Sequence, residues 1–145
     1  MMANKTVVDT SGFFAPVKKL KDTINEQQSL ATLDIIVFEF LKVIEREIDI
    51  VRGKGNSRRE KVLQSLRERF PTLIHELGIA IESASFSLAD VDETYSLIAN
   101  GHESGDSIIW LKMKKLGWNR ILTEDVRHWK SLGAEVVPIS SPEIN

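Results

Sequence analysis

The 145-residue chain contains no cysteine. That absence excludes disulfides, thiolate nucleophiles and cysteine-held zinc or iron–sulfur centres, so any metal must be held by oxygen or imidazole. Histidine is scarce as well. His75, His102 and His128 are scattered, without the short spacing of a zinc site. Long apolar runs are also missing: uninterrupted stretches span a few residues, far short of the roughly 18 to 20 that cross a bilayer. The N-terminus lacks the apolar centre of a signal peptide. A cytoplasmic protein with no membrane partner is expected. Nor is there an excess of positive charge: 19 Lys and Arg against 21 Asp and Glu leave a net charge of −2. Such a balance argues against holding duplex DNA by phosphate neutralisation alone. No repeat, low-complexity tract or linker divides the sequence, and a 42% hydrophobic share is ample for a core. A single domain over residues 1–145 is expected.

Short β-branched runs alternate with helical periodicity. Strands are predicted at residues 5–8, 33–37, 78–81, 120–123 and 135–138. Between them, residues 10–27 suit a helix with a turn or kink near Pro16. Phe38, Leu41, Ile44, Ile48 and Val51 make one apolar face of a helix that ends at the glycines near 53. A helix over 58–77 points Val62, Leu66 and Phe70 inward and breaks or restarts at Pro71. Ser87 and Asp90 have capping-box spacing and open a helix to about 100. Ser104 or Gly105 caps the next, which carries Ile109, Trp110, Met113 and Leu116 on one face before Gly117. A short helix over 124–132 closes at Gly133. Strands alternating with helices imply an α/β fold with a mainly parallel sheet covered on both faces.

Four acids interrupt these apolar runs: Asp9, Glu39, Asp106 and Asp125. Asp9 and Asp125 sit at the carboxyl ends of their strands, where ligands bind in open α/β sheets. Glu39 is predicted two residues past the second strand, in the first turn of the next helix. Asp106 shares a helical face with Ile109, Trp110 and Met113, so it faces the protein, and an ionised carboxylate there needs a partner such as a cation.

Val7-Val8-Asp9-Thr10-Ser11, Val37-Phe38-Glu39-Phe40-Leu41, Gly105-Asp106-Ser107-Ile108-Ile109, and Ile121-Leu122-Thr123-Glu124-Asp125 followed by Leu132-Gly133-Ala134-Glu135-Val136-Val137 together resemble the PIN-domain family of metal-dependent nucleases. The resemblance covers nearly the whole chain in order. It implies a three-layer α/β/α fold and an acidic pocket for Mg²⁺ or Mn²⁺ used to cut RNA. It further implies kinship with the toxin ribonucleases of VapC-type toxin–antitoxin pairs, hence an antitoxin partner and a homodimer. Asp9, Glu39, Asp106 and Asp125 match the acidic quartet, and Ser11 and Thr123 its supporting hydroxyls. Glu103, near Asp106, is a candidate auxiliary acid.

Oxygen ligands without cysteine or clustered histidine suit Mg²⁺, which keeps several waters and takes few carboxylates. An acidic pocket repels RNA, so cations must hold the phosphates. Arg52, Lys54, Arg58 and Arg59 in the glycine-containing loop from Arg52 to Arg59, with Arg127 and Lys130, are the candidates. Trp110, Trp118 and Trp129 are candidate stacking surfaces. Each acid also has an ordinary reading: Asp9 a turn residue, Glu39 a partner of Lys42, Asp106 and Asp125 first-turn helix acids. His75 and His128 read as surface or structural, and Trp129 as core. A non-catalytic RNA-binding or assembly module is the alternative function. A receiver-like phosphorylation domain is excluded, because Asp9 is unpaired and no lysine follows a late strand.

Overall fold

The computed structural model describes residues 4–25 and 29–139. The N-terminal β-branched run forms β1 (Thr6–Val8), wholly buried, which is the central strand. On one side lie β2 (Leu30–Leu33) and β3 (Ala80–Glu82), on the other β4 (Arg120–Thr123) and β5 (Glu135–Pro138), giving the order β3-β2-β1-β4-β5. Every pairing is parallel, with Val7 opposite Ala31 on one side and Ile121 on the other. Each strand therefore needs a crossover, and the helices supply it. They are α1 (Thr10–Phe13), α2 (Val17–Asn25), α3 (Asp34–Gly53), α4 (Ser57–Glu76), α5 (Leu88–Ala99), α6 (Ser104–Lys115) and α7 (Val126–Leu132). The fold is a three-layer α/β/α sandwich, as the alternating pattern requires.

The chain runs outward from β1 through β2 to β3, then returns to the other side of β1 as β4 and β5. The order thus reverses between β1 and β4, and a crevice opens at their carboxyl ends. Two elements fix its floor. Gly12 of α1 lies so close to the sheet that an added Cβ would stand 2.7 Å from Val8 Cγ1 and 3.4 Å from the Leu122 carbonyl oxygen. Four rings from three segments then lock together: Phe40 of α3 stacks on Phe70 of α4 at 4.3 Å, and Phe13 packs edge-on against Phe70 at 4.9 Å. Phe14 meets Phe40 at 5.1 Å. Gly12→Ala should overpack this contact and destabilise the fold by about 1–3 kcal/mol, read as a lower urea midpoint. An unchanged midpoint would mean that α1 can lift away from the sheet freely.

Several sequence expectations are corrected. The second strand ends at Leu33 rather than spanning 33–37, and Ile35, Ile36 and Val37 belong to α3. The Asp34 carboxylate accepts the Ile35 N–H at 2.8 Å, and Ile36, Phe40, Ile44 and Ile48 form a fully buried stripe at four-residue spacing. That burial outweighs the β-propensity of the Ile-Ile-Val run. The predicted α3 face is accordingly rotated, with Ile44 and Ile48 inside but Phe38 60% exposed. In α4 Leu63 rather than Val62 is buried, and the helix runs unbroken through Pro71 with Phe70 anchored in the aromatic cluster. Glu103, rather than Ser104 or Gly105, caps α6, its side chain accepting the Gly105 N–H at 3.0 Å. The capping box of α5 is present, with Ser87 and Asp90 exchanging bonds, and Gly133 ends α7 with φ 104°.

Candidate active site

Asp9 directly follows β1 and Asp125 lies two residues past β4, so the two flank the crevice where the strand order reverses. Val8 and Leu122 are register partners, and the Asp9 N–H continues the ladder to the Leu122 carbonyl at 3.1 Å. Glu39 reaches the same place from the second turn of α3, and Asp106 from the first turn of α6. All four acids, with Ser11 and Thr123, line one concavity of about 440 Å³. They come from four separate points of the chain.

Thr123 organises the sheet side. Its hydroxyl donates to Asp9 Oδ2 at 2.9 Å and accepts the Asp125 N–H at 3.1 Å. Ser11 Oγ lies 3.3 Å from Thr123 Oγ1 and accepts the Glu124 N–H at 3.1 Å, which leaves the Ser11 proton free to point at Thr123. The result is a directed chain from Ser11 through Thr123 to Asp9 that fixes the rotamers of both hydroxyls. Thr123 is buried, so Thr123→Val would strand the Asp9 oxygen and the Asp125 N–H. A cost of about 1–3 kcal/mol is expected by chemical denaturation. A neutral effect would show that water or a neighbour replaces the hydroxyl.

The charges are uneasy. Burial pushes the Asp9 carboxyl above its ordinary range, opposed by bonds from the Thr10 backbone and the Thr123 hydroxyl. The buried Trp129 indole N–H also favours the charged form, though among the described residues it is not aligned as a hydrogen bond to any group. Glu39 is raised by burial, then by the charges of Asp9 and Glu103. Its Oε2 is buried without a hydrogen-bond partner among the described residues. Asp106, its side chain 16% exposed, is pushed up to about 8 by burial and by the neighbouring Asp9, Glu103 and Glu39. Such crowding of like charge in a half-enclosed cleft is what a cation relieves.

The ordinary readings fare unequally. Lys42 lies 5.3 Å over the Phe38 ring, and among the described residues Glu39 has no ion pair with it. Asp125 does cap α7, its Oδ1 accepting the His128 N–H at 3.3 Å. Asp106 does sit at a helix N-terminus. Capping and the helix dipole thus place these acids and soften their repulsion without explaining why they face one another.

His128 was absent from the acid pattern, yet its Nε2 stands 3.3 Å from Asp106 Oδ2, an ion-pair distance without hydrogen-bond alignment. Its ring also meets that of His102 at 5.5 Å. The structural reading of His128 is compatible with this position, its side chain being 19% exposed beside Asp106. A usable signal did exist, since His128 lies three residues beyond Asp125 and so shares its capping turn. Glu103 joins the acids electrostatically, as its neighbourhood with Asp106 suggested.

The basic and aromatic candidates land elsewhere. Arg52 is paired with Glu60 at 3.3 Å. Lys54, Arg58, Arg127 and Lys130 are exposed, but none walls the acidic concavity. Trp110, Trp118 and Trp129 are all buried in the core, which rules out stacking on bases. Among the described residues no three acidic or histidine side chains already close around an ion. The acids rim an open cleft instead.

No family model matches the chain, and no curated protein does. Solved structures do. A protein from Pyrobaculum aerophilum, PAE2754, superposes with a TM-score of 0.54 at 20% identity, over 94% of this chain and 92% of that one. A domain of a functionally unknown protein from Methanocaldococcus jannaschii superposes with a TM-score of 0.50 at 14% identity, over 99% and 96%. At such identities the likeness establishes the fold. No helix among the described residues is long and apolar enough to cross a membrane.

Proposed function

We propose that this protein is a PIN-type, Mg²⁺- or Mn²⁺-dependent endoribonuclease whose site is the cleft formed by Asp9, Glu39, Asp106 and Asp125. The observation that carries the reading is the meeting of four carboxylates from distant parts of the chain at the point where the strand order reverses. One of them, Glu39, keeps a buried oxygen without a hydrogen-bond partner among the described residues. The donor set fits the ion: every candidate ligand is a hard oxygen, and an open cleft suits a cation that keeps waters and shares its shell with a substrate phosphate.

Asp9 and Asp106 are the proposed core ligands, with Glu39 and Asp125 completing the shell directly or through water. When bound, the metal supplies Lewis acidity and lowers the pKa of a coordinated water. The protein does the rest by position. Thr123 and Ser11 hold the Asp9 carboxylate in one orientation, and the α7 cap holds Asp125. With no cysteine in the chain, and with Ser11 bonded to Thr123 and the Glu124 N–H and, among the described residues, to no histidine, water is the proposed nucleophile. On the same reading the protein acts as a toxin restrained by an antitoxin, and pairs as a homodimer.

The test is direct. Purified protein incubated with RNA should cut it in Mg²⁺ or Mn²⁺ and stop when chelator is added. Cleavage that persists in chelator would overturn the assignment.

A further inference from the structure

Next to the acidic cleft lies a second concavity, of about 500 Å³, walled by Arg59, Lys61 and Arg69 of α4 together with Leu66 and Phe14. Phe14 borders both spaces, so the two are neighbours. No acidic side chain lines the second one. Its three cations are exposed, and among the described residues none makes an ion pair. Their positions follow from helix periodicity, which places Lys61, Ser65 and Arg69 one turn apart on a face whose inner neighbours, Leu63 and Phe70, are buried. Arg59 and Arg69 are ten residues apart, or about 15 Å along the axis. That reach meets successive phosphates of one strand.

We infer that this groove on α4 is the track for the phosphate backbone of a single RNA strand leaving the acidic cleft, with Arg59, Lys61 and Arg69 as its phosphate ligands and the half-buried Phe14 as a base-facing wall at the junction. The inference rests on the proposed nuclease reading and adds where the substrate lies. A phosphate chain over four carboxylates is repelled, so the cations that hold it must stand outside the cleft yet adjoin it. Arg52 and Lys54, before α4, do not line the cleft, and Arg52 is already paired with Glu60. On α4 the charge is unspent and concave. Arginine also stacks on bases while it holds phosphate, which suits a strand without a partner.

The experiment is fluorescence anisotropy with a labelled 12-nucleotide RNA of mixed sequence in EDTA, where the proposed chemistry is silent. Wild type is compared with Arg59→Gln/Arg69→Gln and with a control pair that lines neither concavity, Lys18→Gln/Arg46→Gln. All four positions are exposed, and circular dichroism checks the fold. Affinity should drop about tenfold at low salt in the first pair, and the slope of log affinity against log salt should flatten by about 1.4, at about 0.7 per lost phosphate contact on a single strand. The control pair should change neither. Equal losses in both pairs, or no loss in the first, would overturn the groove. If wild type binds with the expected slope but never cuts RNA in Mg²⁺, the nuclease reading fails while the groove stands. Metal-dependent cutting with unaffected binding by Arg59→Gln/Arg69→Gln has the opposite meaning.

Discussion

Asp106→Asn and Asp9→Asn should each cut metal-supported RNA cleavage by at least about a hundredfold, and Asp106→Asn should make the metal-free protein more stable. Groups that merely orient metal ligands cost about 10- to 100-fold when removed, so a direct ligand belongs at or beyond the upper end. The rise in stability follows from the electrostatics. Asp106 is desolvated and repelled by Asp9, Glu103 and Glu39, and a neutral amide of the same shape removes both penalties. Opposite movement of activity and stability is the signature of a site that keeps strain for function. Asp125→Asn sharpens the test, because asparagine caps a helix as well as aspartate does. The α7 start should survive, and any loss of cleavage then reports the charge alone. Glu45→Gln, on the exposed side of α3 away from the cleft, serves as the reference. Cleavage by Asp9→Asn and Asp106→Asn at the rate of wild type would remove the acids from the mechanism.

The sequence showed the acids better than it showed their surroundings, for physical reasons. Asp9 and Asp125 follow strands whose β-branched runs are local signals, and the rule that ligands gather where strand order reverses then puts them together. Glu39 lines the cleft although β2 ends at Leu33, four residues before the predicted end of the strand. It reaches the cleft because it lies beside the buried stripe of Ile36, Phe40 and Ile44, and Val43, one turn on, lines the same cleft. The Ile-Ile-Val run that suggested a strand carries no mark of whether a sheet or a helix will bury it. His128 meets Asp106 only because α7 packs on α6, a relation between segments 22 residues apart that no periodicity encodes. Charge density likewise marks the stretch from Arg52 to Arg59, which overlaps the start of α4 and includes Arg59 but not Lys61 or Arg69, since a count of cations does not report which ones are already paired or which border a cavity. Aromatic character alone suggests the tryptophans as stacking surfaces, but burial of large rings is the stronger demand in a domain of this size.

Stability of the metal-free protein should fall as pH rises from about 4 to about 8, and millimolar Mg²⁺ should restore it at the upper end. Asp106 titrates at 3.8 when unfolded and near 8 when folded, and Asp9 and Glu39 are shifted in the same direction. Between those values the native state binds a proton that the unfolded chain has lost. Stability then decreases with pH, by at most about 1.4 kcal/mol per unit for each such group. Below pH 4 the sign reverses. Asp90, held near 2 chiefly by its bond from Lys115, contributes stability above its unfolded value of 3.8 that is lost as pH falls toward 2. The optimum should therefore lie near pH 4 to 5, more acid than the usual range for globular proteins. A cation bound by the folded carboxylates competes with those protons and adds about 2.7 kcal/mol at a concentration one hundred times its dissociation constant. Urea titrations from pH 3 to 9, with and without Mg²⁺, measure all of this. In Asp106→Asn the decline toward pH 8 should flatten and the response to Mg²⁺ should shrink. A wild-type curve that is level or rising between pH 5 and 8 would mean that water already relieves the crowded acids, and that the cleft has no need of a cation.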